Sequence, residues 1–104
     1  MTSRFSADAL SKLAFDLLCS AGLPVPRARV HADTLLEADL LGHDTHGLAL
    51  LPAHLSELVT GGMTANGEPE VLSDRGACVA WDGKRMSGPW LVSQATDLAI
   101  ERAK

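Results

Sequence analysis

Apolar residues recur at three- and four-residue steps along most of this chain, the spacing that gives an α-helix one buried stripe. Leu10, Leu13, Ala14, Leu17 and Leu18 form the first run, opened by the capping signal of Ser6-Ala7-Asp8-Ala9 and stopped at Gly22. A second helix is expected after Val25-Pro26, with Pro26 suited to a first turn. It carries Val30, Ala32, Leu35, Leu36, Ala38 and Leu40 up to Gly42. Its polar positions, Arg27, Arg29, Asp33, Glu37 and Asp39, read as the solvated side, with Glu37 and Asp39 close to the turn that follows. A third helix is expected from near Thr45 through Leu51, Leu55, Leu58 and Val59 to Gly61-Gly62, with Pro52 early in it.

The period then changes. Met63 to Pro69 reads as a loop with a turn at Asn66-Gly67. Glu70-Val71-Leu72 and Ala77-Cys78-Val79-Ala80-Trp81 are short β-prone runs joined by Ser73-Asp74-Arg75-Gly76, which predicts a hairpin, and Asp82-Gly83 makes the next turn. Gly83 to Gly88 reads as a connection, and helical spacing returns from Trp90 to Lys104. A two-strand hairpin is too small to stand alone, and the last helix ends without a cap. The expectation is an α+β fold, mainly helical: a helical N-terminal domain over residues 1–66, then residues 67–104 as the truncated start of an α/β domain.

Composition narrows the function classes. The chain has 104 residues, 46% hydrophobic and 21% charged, as in a folded domain with a modest core. Nine basic against thirteen acidic residues, a net charge of −4 and four aromatics argue against a nucleic-acid partner. Cys19 and Cys78 have no CxxC or Cys/His spacing, so Cys19 reads as packing and no zinc site is indicated. Met1 to Ser11 lacks a signal-peptide core and no apolar run is long enough for a membrane span, which leads to the expectation of a cytoplasmic protein.

Candidate chemistry gathers in Gly42-His43-Asp44-Thr45-His46-Gly47-Leu48. Histidine's ordinary pKa lies near neutral pH, so an imidazole at a glycine-flanked helix start can shuttle a proton. In the first turn of the expected third helix, His46 would feel the positive end of the helix dipole, which favours its neutral form. Asp44 either caps that helix or fixes a histidine tautomer, with capping preferred, and Thr45 either caps or touches a ligand. A metal site on His43, Asp44 and His46 is a minor alternative. His31 and His54 stand alone on helical patterns and read as half-exposed surface residues. Trp90 reads as a core or interface anchor. There is no GxGxxG after a strand and no GxxxxGK[ST], hence no phosphate cradle.

That run, followed by Leu51-Pro52 and Leu55, resembles the signature of the malate/L-lactate dehydrogenase family, whose usual form is Gly-His-Asp-Ser-His-Gly. The likeness extends over the opening helix pair, the Gly61-Gly62 stop, the Asp82-Gly83 turn and Ala99 to Lys104. The resemblance implies a homodimeric oxidoreductase that uses NAD or NADP on small 2-hydroxy or 2-oxo acids, with a cofactor domain that is not a Rossmann fold. It implies His46 as the catalytic proton donor or acceptor, Thr45 as a substrate-side hydroxyl in place of serine, and His43 and Asp44 as supports. A further catalytic histidine of the family would lie beyond Lys104. Leu50 and His54 stand where relatives commonly carry arginines for the substrate carboxylate, which makes His54 a substrate-binding candidate and points to a less acidic substrate or a grip from another segment. Cofactor-binding residues are not assignable within this chain. The 104 residues alone are expected to be inactive. The alternative is a non-catalytic helical module for dimerisation or partner binding through Trp81, Trp90 and the leucines of the third helix.

Overall fold

The structure, a computed structural model, describes residues 4–104. Met1 to Ser3, which the expected helical domain includes, lie outside the described residues. Helix α1 spans Ala7–Ser20, and the Ser6 hydroxyl accepts the Ala9 amide at 3.3 Å, so the predicted cap forms. The chain leaves α1 through Gly22 at φ +107°, a left-handed conformation that costs a residue without Cβ little. Helix α2 spans Val25–Leu40 with Pro26 in its first turn.

Helices α1 and α2 form the core. Ala14 and Leu18 of α1 meet Ala28, Ala32 and Leu35 of α2, with Leu23 from the connection and Leu51 and Leu58 from the next helix. The three alanines, each at most 1% exposed, let the two backbones approach closely, and Leu18 fills the space they leave. Burying such a leucine contributes about 1.5–3 kcal/mol. Cys19 packs at the edge of this cluster as a free thiol, as its apolar setting in the sequence predicts.

The third helix departs from expectation. Asp44–His46 and Leu48–Leu50 are two single 3-10 turns, and the α-helix, α3, spans only Leu51–Thr60. Pro52 thereby falls at its second position, where the missing N–H is tolerated without a bend. Gly61 at φ +87° ends it, as predicted.

Strands β1, Glu70–Asp74, and β2, Val79–Asp82, pair antiparallel, Val71 opposite Trp81 and Asp74 opposite Val79. The register shifts between Val71 and Ser73, so Leu72 is the extra residue of a bulge. Helix α4, Gly88–Ala103, is capped by Ser87, whose hydroxyl accepts the Trp90 amide at 3.2 Å. Arg102 of α4 donates through both guanidinium nitrogens to the Asp74 carboxylate, at 2.7 Å each, and to the Gly76 carbonyl at 2.9 Å. That pairing ties the hairpin end to the last helix and holds the Asp74 carboxyl well below the usual carboxylate range. The architecture is thus mainly helical with one antiparallel hairpin.

Two expectations about α2 are overturned. Arg27, assigned to the solvated side, is only 9% exposed: it donates to the carbonyls of Ala65 and Gly67, reaches the Glu68 carboxylate at 3.3 Å and lies over the Trp90 ring, 3.8 Å from its centroid. His31, assigned to the surface, is fully buried. Positions 27, 28, 31, 32 and 35 make one continuous stripe, and its polar members are buried because α4 and the residue 65–68 loop bring hydrogen-bond partners to them. Trp90, 7% exposed beneath Arg27, is a core anchor.

Candidate functional site

The turn after α2 is built from backbone hydrogen bonds that reuse the helix's last carbonyls. Gly42 N donates to Asp39 O at 3.0 Å and His43 N to Ala38 O at 2.8 Å, and His46 N closes the next turn onto His43 O at 2.9 Å. Gly42 at φ +88° lets the chain reverse. The Asp39 carboxylate reaches across to accept the Leu48 amide at 2.9 Å. Gly47 lies directly against that carboxylate, and a Cβ there would collide with it. Asp39 is therefore the side chain that fastens the His-containing turn to α2, a role that the sequence pattern hides by placing it among solvated charges.

On this frame Thr45 Oγ1 lies 2.8 Å from His46 Nδ1. One ring nitrogen is engaged by the protein and Nε2 is left for a ligand, the arrangement that a proton-transferring imidazole needs. His43 and His46 line one open groove of about 400 Å³ with Thr34, Glu37, Ala38 and Leu41. Glu37 thus joins the two imidazoles, while the Thr34 hydroxyl is spent on the Val30 carbonyl at 2.7 Å.

Asp44 is exposed and makes no side-chain hydrogen bond among the described residues, so the preferred capping role is not formed; Asp39 does that work from the other side of the turn. His46 stands in an isolated 3-10 turn, so its expected place at an α-helix N-terminus is also corrected. No three metal-ligating side chains converge among the described residues.

His54 lies outside this groove. Its Nδ1 sits 2.9 Å from Nε2 of His31, and Nδ1 of His31 is 2.7 Å from Ser87 Oγ, so α3, α2 and the start of α4 meet in one hydrogen-bonded chain. The two rings stand edge to face, with centroids 4.9 Å apart. Burial, followed by the neighbouring His54, pushes His31 down to about 4, and burial lowers His54 as well. Ser87, 1% exposed, falls where the sequence pattern from Gly83 to Gly88 reads as a connection; a serine three residues before Trp90, followed by Gly88-Pro89, is the signal of a helix start.

A second groove, of about 630 Å³, opens between the hairpin and α4, lined by Val79, Trp81, Leu98, Ala99 and Arg102 among others. It does not fit a dinucleotide. Its walls are chiefly apolar, its guanidinium is committed to Asp74 and Gly76, and the buried Trp81 Nε1, unpartnered among the described residues, is a single donor where a pyrophosphate needs several.

Comparison with known proteins adds to this geometry. The profile of the malate/L-lactate dehydrogenases matches residues 5–104. Hydroxycarboxylate dehydrogenase B of Escherichia coli O157:H7 is 31% identical over 100 residues, covering 96% of this chain and 28% of that protein. L-sulfolactate dehydrogenase of Methanocaldococcus jannaschii is 30% identical over 93 residues, 89% of this chain and 27% of that protein. The solved structure of malate dehydrogenase from Pyrococcus horikoshii OT3 superposes with a TM-score of 0.93 at 27% identity, over 97% of this chain and 29% of that one. The chain thus spans little more than a quarter of the length of these relatives.

Proposed function

Since this chain belongs to the malate/L-lactate dehydrogenase family, we propose that it is the N-terminal, substrate-side portion of an oxidoreductase that moves a hydride between NAD or NADP and a small 2-hydroxy or 2-oxo acid. The observation that carries this reading is the Thr45–His46 pair on a turn fastened by Asp39, with one imidazole nitrogen engaged and the other free in a groove. His46 Nε2 takes the proton from the substrate hydroxyl during oxidation and returns it to the oxo oxygen during reduction. Thr45 fixes the ring's orientation and stands beside the substrate. His43 supports the turn through its backbone, donating to Ala38 O and accepting from His46 N, while the Asp44 side chain adds no hydrogen bond among the described residues.

Residues 1–66 act as the helical unit and 67–104 as the opening of a cofactor domain unlike a Rossmann fold. The nicotinamide supplies the hydride acceptor or donor when bound. Because the residues present do not fit it, its binding groups belong to the part of the relatives' length that this chain does not span. The active form is a homodimer in the cytoplasm, and the 104 residues alone are inactive. The test assays full-length protein and the 104-residue chain for NADH and NADPH oxidation with a panel of 2-oxo acids. Turnover by the long form only supports the reading, whereas turnover by the short chain, or failure of the long form to bind either nucleotide by titration calorimetry, overturns it.

A further inference from the structure

The apolar core of the three leading helices stops at Ala65. Its members come from α1, α2, α3 and the segments beside them, and no residue of the hairpin or α4 belongs to it. What joins the hairpin and α4 to that core is a separate, largely polar seam along α2. Ser87 Oγ lies 2.7 Å from His31 Nδ1, Arg27 covers the Trp90 ring and donates to Met86 Sδ at 3.5 Å, and the Thr64 amide donates to the Arg85 carbonyl at 2.9 Å. A piece held by a few polar contacts opens more readily than one built around its own apolar core.

Hydrogen-bond direction makes this seam sensitive to protons. With both rings neutral, every buried group is satisfied: Ser87 Oγ accepts the Trp90 amide and donates to His31 Nδ1, His31 Nε2–H donates to His54 Nδ1, and the proton of His54 sits on Nε2. A first proton breaks the pattern from either end. On His31 it makes Nδ1 a donor; on His54 it does the same to that ring's Nδ1 and reverses His31, whose own Nδ1 then donates. Either way the Ser87 hydroxyl hydrogen loses its acceptor at a residue that is 1% exposed. A second proton sets His31 Nε2–H against His54 Nδ1–H at 2.9 Å, two donors with no acceptor between them.

We propose that Ser87, His31 and His54 form an acid-operated latch: protons taken up by the two rings release the hairpin and α4 from α2, while α1, α2 and α3 stay packed on their own core. The surroundings offer the added charge no counterion. On α2 the nearest charged group is Arg27, one turn before His31 and of like sign. The loop contributes Glu68, which Arg27 already engages, and α3 contributes Glu57, which lies against Gly62. Helix α1 offers Ala14 and Leu18, and the first turn of α4 carries no charge. Neither ring has a carboxylate within ion-pair distance among the described residues. Burial therefore holds both rings below their ordinary protonation range, and opening the seam restores that range for His31, so acid favours the open form. Arg102 keeps the hairpin and α4 together as they leave, and the His46 turn, fastened by Asp39, stays with α2. The latch stands independently of the dehydrogenase reading.

Hydrogen exchange of the full-length protein, read by mass spectrometry at pH 7 and pH 4 and corrected for the intrinsic pH dependence of exchange, tests it. Protection of α4 should fall about 10²-fold between the two, the ratio that follows when His31 titrates near 4 closed and near 6.5 open, while protection of α1 stays within about threefold. His31→Phe, and His31→Asn, which offers Ser87 an amide oxygen and does not titrate, should each hold α4 protection within about threefold across the same range. Unchanged α4 protection in the parent at pH 4, equal loss from α1 and α4, or the parent's full drop persisting in either variant overturns the latch.

Discussion

The chain carries two pairs of polar partners around imidazoles, and they are built in opposite ways. Around His46 the side chains are exposed, one hydroxyl touches the ring, and the anchoring carboxylate of Asp39 grips backbone rather than histidine. Around His31 the ring is fully enclosed and both nitrogens are engaged, one from α4 and one from α3. The difference separates two uses of one residue type. An imidazole with a free edge in a groove is available to a ligand, whereas one with both edges spent ties helices together and sets the tautomer of whatever it touches.

The largest effect expected from this contrast is on turnover. His46→Ala in the full-length protein should lower kcat by about 10²–10⁴-fold while leaving the melting temperature within a degree or two. Wild-type turnover in that variant would remove His46 from the chemistry. Next comes the pH dependence of stability. Unfolded, His31 takes up its proton near 6.5; folded, it does so only near 4, so the unfolded state binds more protons between those values and stability falls as pH drops through that window. The loss should approach about 3 kcal/mol for His31 by pH 4, with His54 adding in the same direction, and should level off only below that pH. Urea midpoints at pH 7.5, 5.5 and 4 measure it, and His31→Phe should flatten the curve. A parent midpoint that does not move across the window would contradict a buried neutral His31.

A smaller effect is predicted for Gly47→Ala, which forces the Asp39 carboxylate off the Leu48 amide. It should cost about 1–3 kcal/mol of stability and reduce turnover along with it, because the His46 turn loses its fastening. If Asp39→Asn, which keeps an acceptor, behaves no better than Asp39→Ala, the fastening is not what matters. The smallest change is expected for Asp44→Ala: with no side-chain partner among the described residues, it should leave stability within about 0.5 kcal/mol of the parent, a value that chemical denaturation resolves. A loss of 1 kcal/mol or more would show a cap that the structure does not contain.

Much of the fold was legible in the order of residues because local signals and tertiary packing agree there. Ser6 caps α1, Gly22 and Gly61 stop helices at positive φ, and the hairpin forms between the two β-prone runs. Legibility failed where burial and polarity part company. Periodicity assigns a charged or imidazole side chain to the outside of a helix, so Arg27 and His31 were placed in solvent although the stripe at 27, 28, 31, 32 and 35 is continuous in space. Their partners, the residue 65–68 loop and Ser87, lie far along the chain, and no local window contains them. The third helix was placed early for a related reason: Asp44 and Thr45 resemble caps, but Asp39 supplies the acceptor and Gly47, pressed against it, breaks the run into two short turns. Within the site, His43, Thr45 and His46 were read from the motif, whereas Thr34 and the fastening role of Asp39 required the turn to fold back onto α2.

The separation of 56 positions from His31 to Ser87 sets an order of assembly. His31 can find His54 across 23 residues as soon as the third helix packs, but in that interval the ring's other nitrogen has no hydroxyl beside it. Only when the hairpin has formed and α4 has docked its first turn does the serine arrive. A ribosome-bound nascent chain halted before residue 87 would therefore hold the three leading helices together with an unfinished seam, and the polarity of the seam would be decided by the last helix to arrive.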